Sequence, residues 1–277
     1  MKDAREFLLS RAEGDLLPWS VQVLAAEMFH LSFHEVEETA LRSGLLPARY
    51  QRNRKTFSIE QQLLFAQSKV AVIGCGGLGG YVIEELARLG VGLLTAVDPD
   101  VFEEHNLNRQ LLSSPGALGR AKVEVAAERV EEINPSVQVV PVREALTRSN
   151  GPRLLEGSSV AVDALDTMPA RLALADVCGS LGIPLVHGTI AGWYGQVLTQ
   201  FPGEETMSMM YGQFVGEKGV EGRLGNPAFT PAVVASLQVA EVCKIIVTQG
   251  STLRNRLLCV NLLDMVVEEV KLQQHQG

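Results

Sequence analysis

The residue types best able to do chemistry in this chain lie between Lys69 and Lys122. Asn106, Arg109, Gln110 and Lys122 form a polar and cationic set downstream of a glycine cluster, Gly74-Cys75-Gly76-Gly77-Leu78-Gly79. Glycines in a G-x-G-x-x-G pattern let the backbone turn sharply. They also let a phosphate-bearing ligand approach the free N–H groups at a helix start, where the dipole favours an anion. An arginine and a lysine beside such a turn suit a triphosphate, which carries roughly three to four negative charges at neutral pH. With a divalent cation, they are the groups that neutralise it during phosphoryl or adenylyl transfer. Taken singly, each of these side chains reads as a solvated loop charge; their order along the chain favours a site.

Positioning such a site requires a strand, a turn and a helix, and the sequence supplies them in that order. Lys69–Ile73 is a short β-branched run leading straight into the glycines, the pattern of a buried strand. Leu78, Val82, Leu86 and Leu89 then recur at helical spacing, with Gly90 just beyond as a C-terminal stop. A second strand, Leu93–Val97, ends at Asp98, nineteen residues past Gly79, where nucleotide-binding folds place an acid on the ribose hydroxyls. Up to this point the stretch specifies only a nucleotide. The continuation, DPDVFEEHNLNRQ and then Lys122, departs from the ordinary next helix of a dehydrogenase.

These residues carry a family likeness. The order R-Y-x-R at Arg49–Arg52, GCGGLG, D-x-D at Asp98–Asp100, N-L-x-R-Q at Asn106–Gln110, Lys122, and D-x-x-D at Asp163–Asp166 resembles the ThiF/MoeB/HesA family of ubiquitin-activating-like adenylyltransferases, from about Arg49 to Leu272. The resemblance implies attack by the Gly-Gly C-terminal carboxylate of a small ubiquitin-like sulfur carrier on the α-phosphorus of ATP, with release of pyrophosphate. It implies that Gly74, Gly76 and Gly77 shape the phosphate turn and that Asp98 holds the ribose. Asn106, Arg109, Lys122 and Arg52 would bind phosphates, and Asp166 would hold Mg²⁺. It places Arg52 at the nucleotide of a neighbouring subunit, hence a homodimer. At Asp166 the residues themselves leave open an N-cap for the helix beginning near Pro169. Thr167 stands where the family often has Asn.

Some relatives pass the acyl group through a cysteine in a crossover segment. Here no cysteine lies between Cys178 and Cys243, and the matching position falls near Glu221, so adenylation without a thioester on this chain is expected. No C-x-x-C occurs, so the tetrathiolate zinc site of many members cannot be built. The glycine- and methionine-rich stretch from Pro202 to Pro227 is the counterpart of the segment that closes over the substrate tail. Met207, Met209 and Met210 suit either an adaptable partner surface or core packing.

The rest of the chain sets bounds. At 277 residues, 46% apolar and 20% charged, it suits one large α/β domain, residues 49–277, with a helical extension over residues 1–48. Strand–helix alternation through Val137–Pro141, Ser159–Leu165 and Ile183–Thr189 predicts a doubly wound, mostly parallel Rossmann-like sheet. Antiparallel strands at Arg256–Leu263 and Met265–Leu272 close it. A net charge of −8 makes nucleic acid an unfavoured partner, and Glu35, Glu37 and Glu38 argue against DNA contact by the N-terminal helices. Those helices read as a docking module, a small helix-turn-helix or, preferably, a cap on the main domain or dimer. The four cysteines sit in apolar surroundings as reduced thiols, and the absence of a signal-like N-terminus points to the cytoplasm. Two alternatives stand beside the carrier reading. One is adenylation of a small-molecule or tRNA-linked carboxylate; the other is an NAD-binding or non-catalytic nucleotide-binding protein.

Overall fold

The computed structural model of the chain describes residues 2–212 and 224–272. Eight strands form one sheet: β3 (Lys69–Ile73), β4 (Leu93–Val97), β5 (Gln138–Val142), β6 (Val160–Asp163), β7 (Leu185–Ala191), β8 (Tyr194–Gln200), β9 (Arg256–Asn261) and β10 (Val266–Lys271). Their spatial order is β10-β9-β8-β7-β6-β3-β4-β5. The five strands from β7 through β5 run parallel, while β8, β9 and β10 are each antiparallel to their neighbours. From β3 the chain winds outward through β4 to β5, then returns to β6 on the other side. The order therefore reverses between β3 and β6, and ligands in such sheets bind beyond the carboxyl ends of the strands at that point.

Helices cover both faces because the inner strands are apolar on both. In β3, Val70 and Val72 join a core with Val82, Leu86 and Val234, while Ala71 and Ile73 join a second with Leu155, Leu174 and Leu185. The first layer consists of α5 (Gly77–Leu89), α6 (Lys122–Ile133) and α10 (Phe229–Val247); the second is built from α7 (Gly151–Leu155) and α8 (Met168–Leu181). Pro141 sits in β5, an edge strand, where its missing N–H leaves no inner ladder unpaired. Helix α10 is long and apolar enough to cross a membrane by length and composition, but it packs on α5, β7 and β8 as a core helix of the fold.

Ahead of the sheet stand α1 (Lys2–Arg11), α2 (Trp19–Phe29), α3 (Phe33–Arg42) and α4 (Ile59–Gln67), with a short parallel pair, β1 (Leu16–Leu17) and β2 (Leu46–Pro47). A Ser32–Glu35 capping box opens α3. The three glutamates of α3 have separate roles: Glu35 caps, Glu38 pairs with Arg42, and Glu37 is buried. Tyr50 Oη donates to Glu37 Oε1 at 2.9 Å and accepts from Asn134 Nδ2 at 2.9 Å. Burial pushes the Glu37 carboxyl up. Arg49 lies 4.8 Å over the Trp19 ring of α2, and Arg54 pairs with Asp15 in the turn before β1, so the basic connector Arg49–Arg54 is held against the N-terminal segment at two points.

Candidate active site

The turn after β3 is shaped by what surrounds it. Gly74 has φ +100°, and a Cβ there would lie 2.5 Å from the Ala164 carbonyl oxygen at the end of β6; a Cβ on Gly79 would lie 1.8 Å from the Gly74 carbonyl. Only glycine allows β3, β6 and α5 to converge this closely. Helix α5 starts at Gly77 with Gly76 as an N-cap lacking a side-chain bond, so its first N–H groups are available to an anion.

Asp98 closes the turn from the other side. Its carboxylate accepts the Cys75 N–H at 2.7 Å and the Asp100 N–H at 2.8 Å. Lys122, at the start of α6, brings its ammonium 3.0 Å from Asp100 and 3.8 Å from Asp98. Burial raises the Asp98 carboxyl, opposed by Lys122 and the two N–H groups. Asp98 and Lys122 are both buried, whereas the Asp100 side chain is 64% exposed. Asp100 is thus the partner that an incoming anion can displace.

Seven of the expected site residues line one cavity of about 330 Å³ at the switch point: Gly74, Gly76, Gly77, Asp98, Arg109, Lys122 and Asp166. Among the described residues Arg109 bonds only to neutral oxygens, the His105 carbonyl and Asn108 Oδ1, each at 2.9 Å. Asp166 is exposed at the rim with no hydrogen bond or ion pair among the described residues. It does not cap the next helix; Thr167 occupies that position. Two expected residues lie elsewhere. Asn106 is buried below the loop, where its Oδ1 accepts the Glu103 N–H, and it does not line the cavity. Arg52 stands exposed in the connector, also away from the lining.

The cavity also contains Gln110, part of the polar set read from the sequence, and two residues that the sequence did not bring forward, Arg171 and Asn226. Arg171 is buried and donates to the Leu165 carbonyl at 2.7 Å, bracing the loop that bears Asp166. Gln110 and Asn226 each line the cavity with a buried amide oxygen that has no partner among the described residues. Such orphaned acceptors are costly unless a ligand satisfies them. Beside the cavity, sharing Ile190, runs an apolar groove of about 630 Å³ that includes Met168, Tyr194, Tyr211 and Val260.

The cysteines fall into two classes. Cys75, Cys178 and Cys243 are buried, and burial pushes Cys178 and Cys243 up to about 12 and Cys75 well above its ordinary value. None of the three is a thiolate at neutral pH. Cys259 is half-buried and lines the groove. Among the expected methionines, Met207 is buried, Met210 packs on the core, and Met209 is exposed. Glu221 lies outside the described residues.

Comparison with known proteins agrees with this architecture. The ThiF family model matches residues 50–277. The SAMP-activating enzyme E1 of Haloferax volcanii is 38% identical over 216 residues, covering 76% of this chain and 79% of that protein. The molybdopterin-synthase adenylyltransferase of Salmonella typhimurium is 30% identical, over 80% of this chain and 90% of that protein. Among solved structures, Escherichia coli MccB with ATP superposes with a TM-score of 0.69 at 20% identity, covering 82% of this chain and 72% of that one. E. coli tRNA N6-threonylcarbamoyladenosine dehydratase superposes at 0.62 and 25% identity, covering 72% and 94%. By the family match over residues 50–277 and these relatives, and with a glycine turn, a buried lysine and an arginine held by neutral oxygens at the switch point, the chain belongs to the ThiF family and is an adenylyltransferase.

Proposed function

We propose that the protein adenylates the C-terminal Gly-Gly carboxylate of a small ubiquitin-like sulfur carrier, using ATP and Mg²⁺. The observation that carries this reading is the cavity itself: a free helix N-terminus, Arg109, Lys122 and Asp166 face one space, and an apolar groove opens directly beside it. The cavity would take ATP, with phosphates against Gly74, Gly76 and Gly77 and the ribose on Asp98. The groove would take the carrier's extended tail. The names of the Haloferax and Salmonella relatives support a carrier as acceptor; the dehydratase neighbour supports the alternative of a tRNA-linked carboxylate.

A carboxylate is ionised at neutral pH and needs no base to attack. Its oxygen forms a bond to the α-phosphorus, the bond to the bridging oxygen breaks, and pyrophosphate leaves with the electron pair. The work left to the protein is orientation and charge stabilisation. Lys122 exchanges its contact with exposed Asp100 for a phosphate oxygen while Asp98 keeps it in place. Arg109 gives up only neutral partners. Asp166, an oxygen ligand without a competing partner, fits a hard cation that binds through one or two carboxylates plus phosphates. Mg²⁺ there would offset the charge on the phosphates. Arg52, which reaches no part of its own cavity, fits a role at the site of a second subunit in a homodimer. Residues 1–48 act as a cap that holds the Arg49–Arg54 connector on domain 49–277. Nothing in this scheme requires zinc, nucleic acid or a membrane, and a cytoplasmic setting suits four free thiols.

The test is ATP–pyrophosphate exchange with Mg²⁺, with and without each Gly-Gly-ending small protein of the same organism. Exchange that needs one such protein and falls at least about 100-fold in Lys122→Ala and Asp166→Ala is expected. Failure of exchange with every candidate, despite ATP binding, would move the acceptor to a small-molecule or tRNA-linked carboxylate.

A further inference from the structure

A buried polar chain that the proposed reaction does not use runs between the cavity and the groove. Asp163, the last residue of β6, and His187 in β7 are fully buried, with Asp163 Oδ2 and His187 Nδ1 2.7 Å apart. His187 Nε2 lies 3.0 Å from Tyr211 Oη. Asp163 Oδ1 accepts the Leu165 N–H at 2.9 Å, and the Arg171 guanidinium is 3.9 Å from Oδ2. Asp163 Oδ1 already accepts from the Leu165 N–H, and a neutral imidazole has one N–H to give. His187 therefore donates through Nδ1 to Asp163, and its bare Nε2 accepts from the Tyr211 hydroxyl. Burial, which holds the imidazole below its ordinary pKa, agrees with this neutral form.

The two ends of the chain reach different sites. Tyr211 ends α9 (Thr206–Tyr211) and lines the apolar groove. Asp163 anchors the loop whose Leu165, Asp166 and Thr167 line the nucleotide cavity. Ile190, three residues along β7 from His187, is shared by both. We propose that Tyr211, His187 and Asp163 are positioning residues that couple occupancy of the groove to the setting of the Asp163–Thr167 loop, so that carrier and nucleotide strengthen each other's binding. This rests on the assignment of cavity and groove in the preceding section. Displacing α9 when a tail enters would move the hydroxyl that the imidazole accepts from; the imidazole in turn bears on the carboxylate that fixes the loop. Coupling of this kind is reciprocal.

The measurement is the affinity for a non-hydrolysable ATP analogue with Mg²⁺, alone and with saturating carrier, in the wild type, Tyr211→Phe and His187→Phe. The carrier is the one that supports exchange. Wild-type affinity is expected to rise at least about fivefold with carrier, the lower end of measured couplings. In Tyr211→Phe, which removes one hydroxyl and keeps the ring, affinity without carrier stays within about twofold of wild type while the carrier-dependent gain disappears. A purely structural role would lower melting temperature and leave the gain intact. His187→Phe is expected to lose the gain as well, and Tyr211→Phe alone decides if it does not fold. Equal gains in wild type and Tyr211→Phe, or no gain in the wild type, would overturn the relay while leaving adenylation standing. A wild type that binds no nucleotide would overturn both.

Discussion

Lys122 sits between two carboxylates of unequal burial, and that inequality lets one side chain serve both stability and chemistry. Removing it strands Asp98, a buried charge whose N–H partners remain but whose cation is gone. Lys122→Ala is accordingly expected to cost about 3 kcal/mol in urea unfolding as well as abolishing exchange. Asp100→Ala, at an exposed side chain, should change stability by less than about 0.5 kcal/mol. His187 gives a pH prediction. Its folded pKa lies below the ordinary 6.5, so as pH falls below that value the unfolded chain takes up a proton that the native state resists. Stability is expected to fall as pH drops from about 6.5, with a slope of at most about 1.4 kcal/mol per unit, and His187→Phe should flatten it. Urea unfolding at several pH values measures both. Asp98 and Lys122 were legible in the sequence because their motif neighbours announce them. The Asp163–His187 pair was not, because residues 24 apart acquire meaning only when β6 and β7 lie side by side.

At the scale of the elements, the turn between β3 and α5 discriminates among its glycines. A methyl at Gly79 meets the rigid Gly74 carbonyl, while one at Gly76 lies 3.5 Å from the Gln110 amide, the movable end of a side chain. Gly79→Ala is expected to lose about 3 kcal/mol or fail to fold, and Gly76→Ala to fold with weakened nucleotide binding; thermal melts and ATP titration separate them. Strands β3 and β4 and helix α5 follow directly from β-branched runs, helical spacing and Gly90. Helix α4 escaped the reading although Ser58 and Gln61 form a capping box, because the basic RYQRNR run ahead of it reads as a linker. The parallel pattern gives way at β8, which pairs antiparallel with β7 across a tight turn at Gly192-Trp193, too short for a crossover. That reversal places Tyr194 beside the nucleotide cavity, on the wall of the groove.

Across the whole molecule, the cavity and groove act in one proposed reaction, with the thiols as bystanders. Three of them are buried and protonated; Cys259 alone reaches the groove. Cys259→Ala is therefore expected to retain exchange within about twofold, since the proposed adenylation passes no step through sulfur on this chain. The most direct measurement is intact-mass spectrometry of carrier and enzyme after mixing with ATP and Mg²⁺ and quenching without reductant. The account predicts carrier heavier by one adenylyl group and an enzyme of unchanged mass. Enzyme carrying the carrier in thioester linkage, or carrier unmodified while pyrophosphate is released, would contradict it.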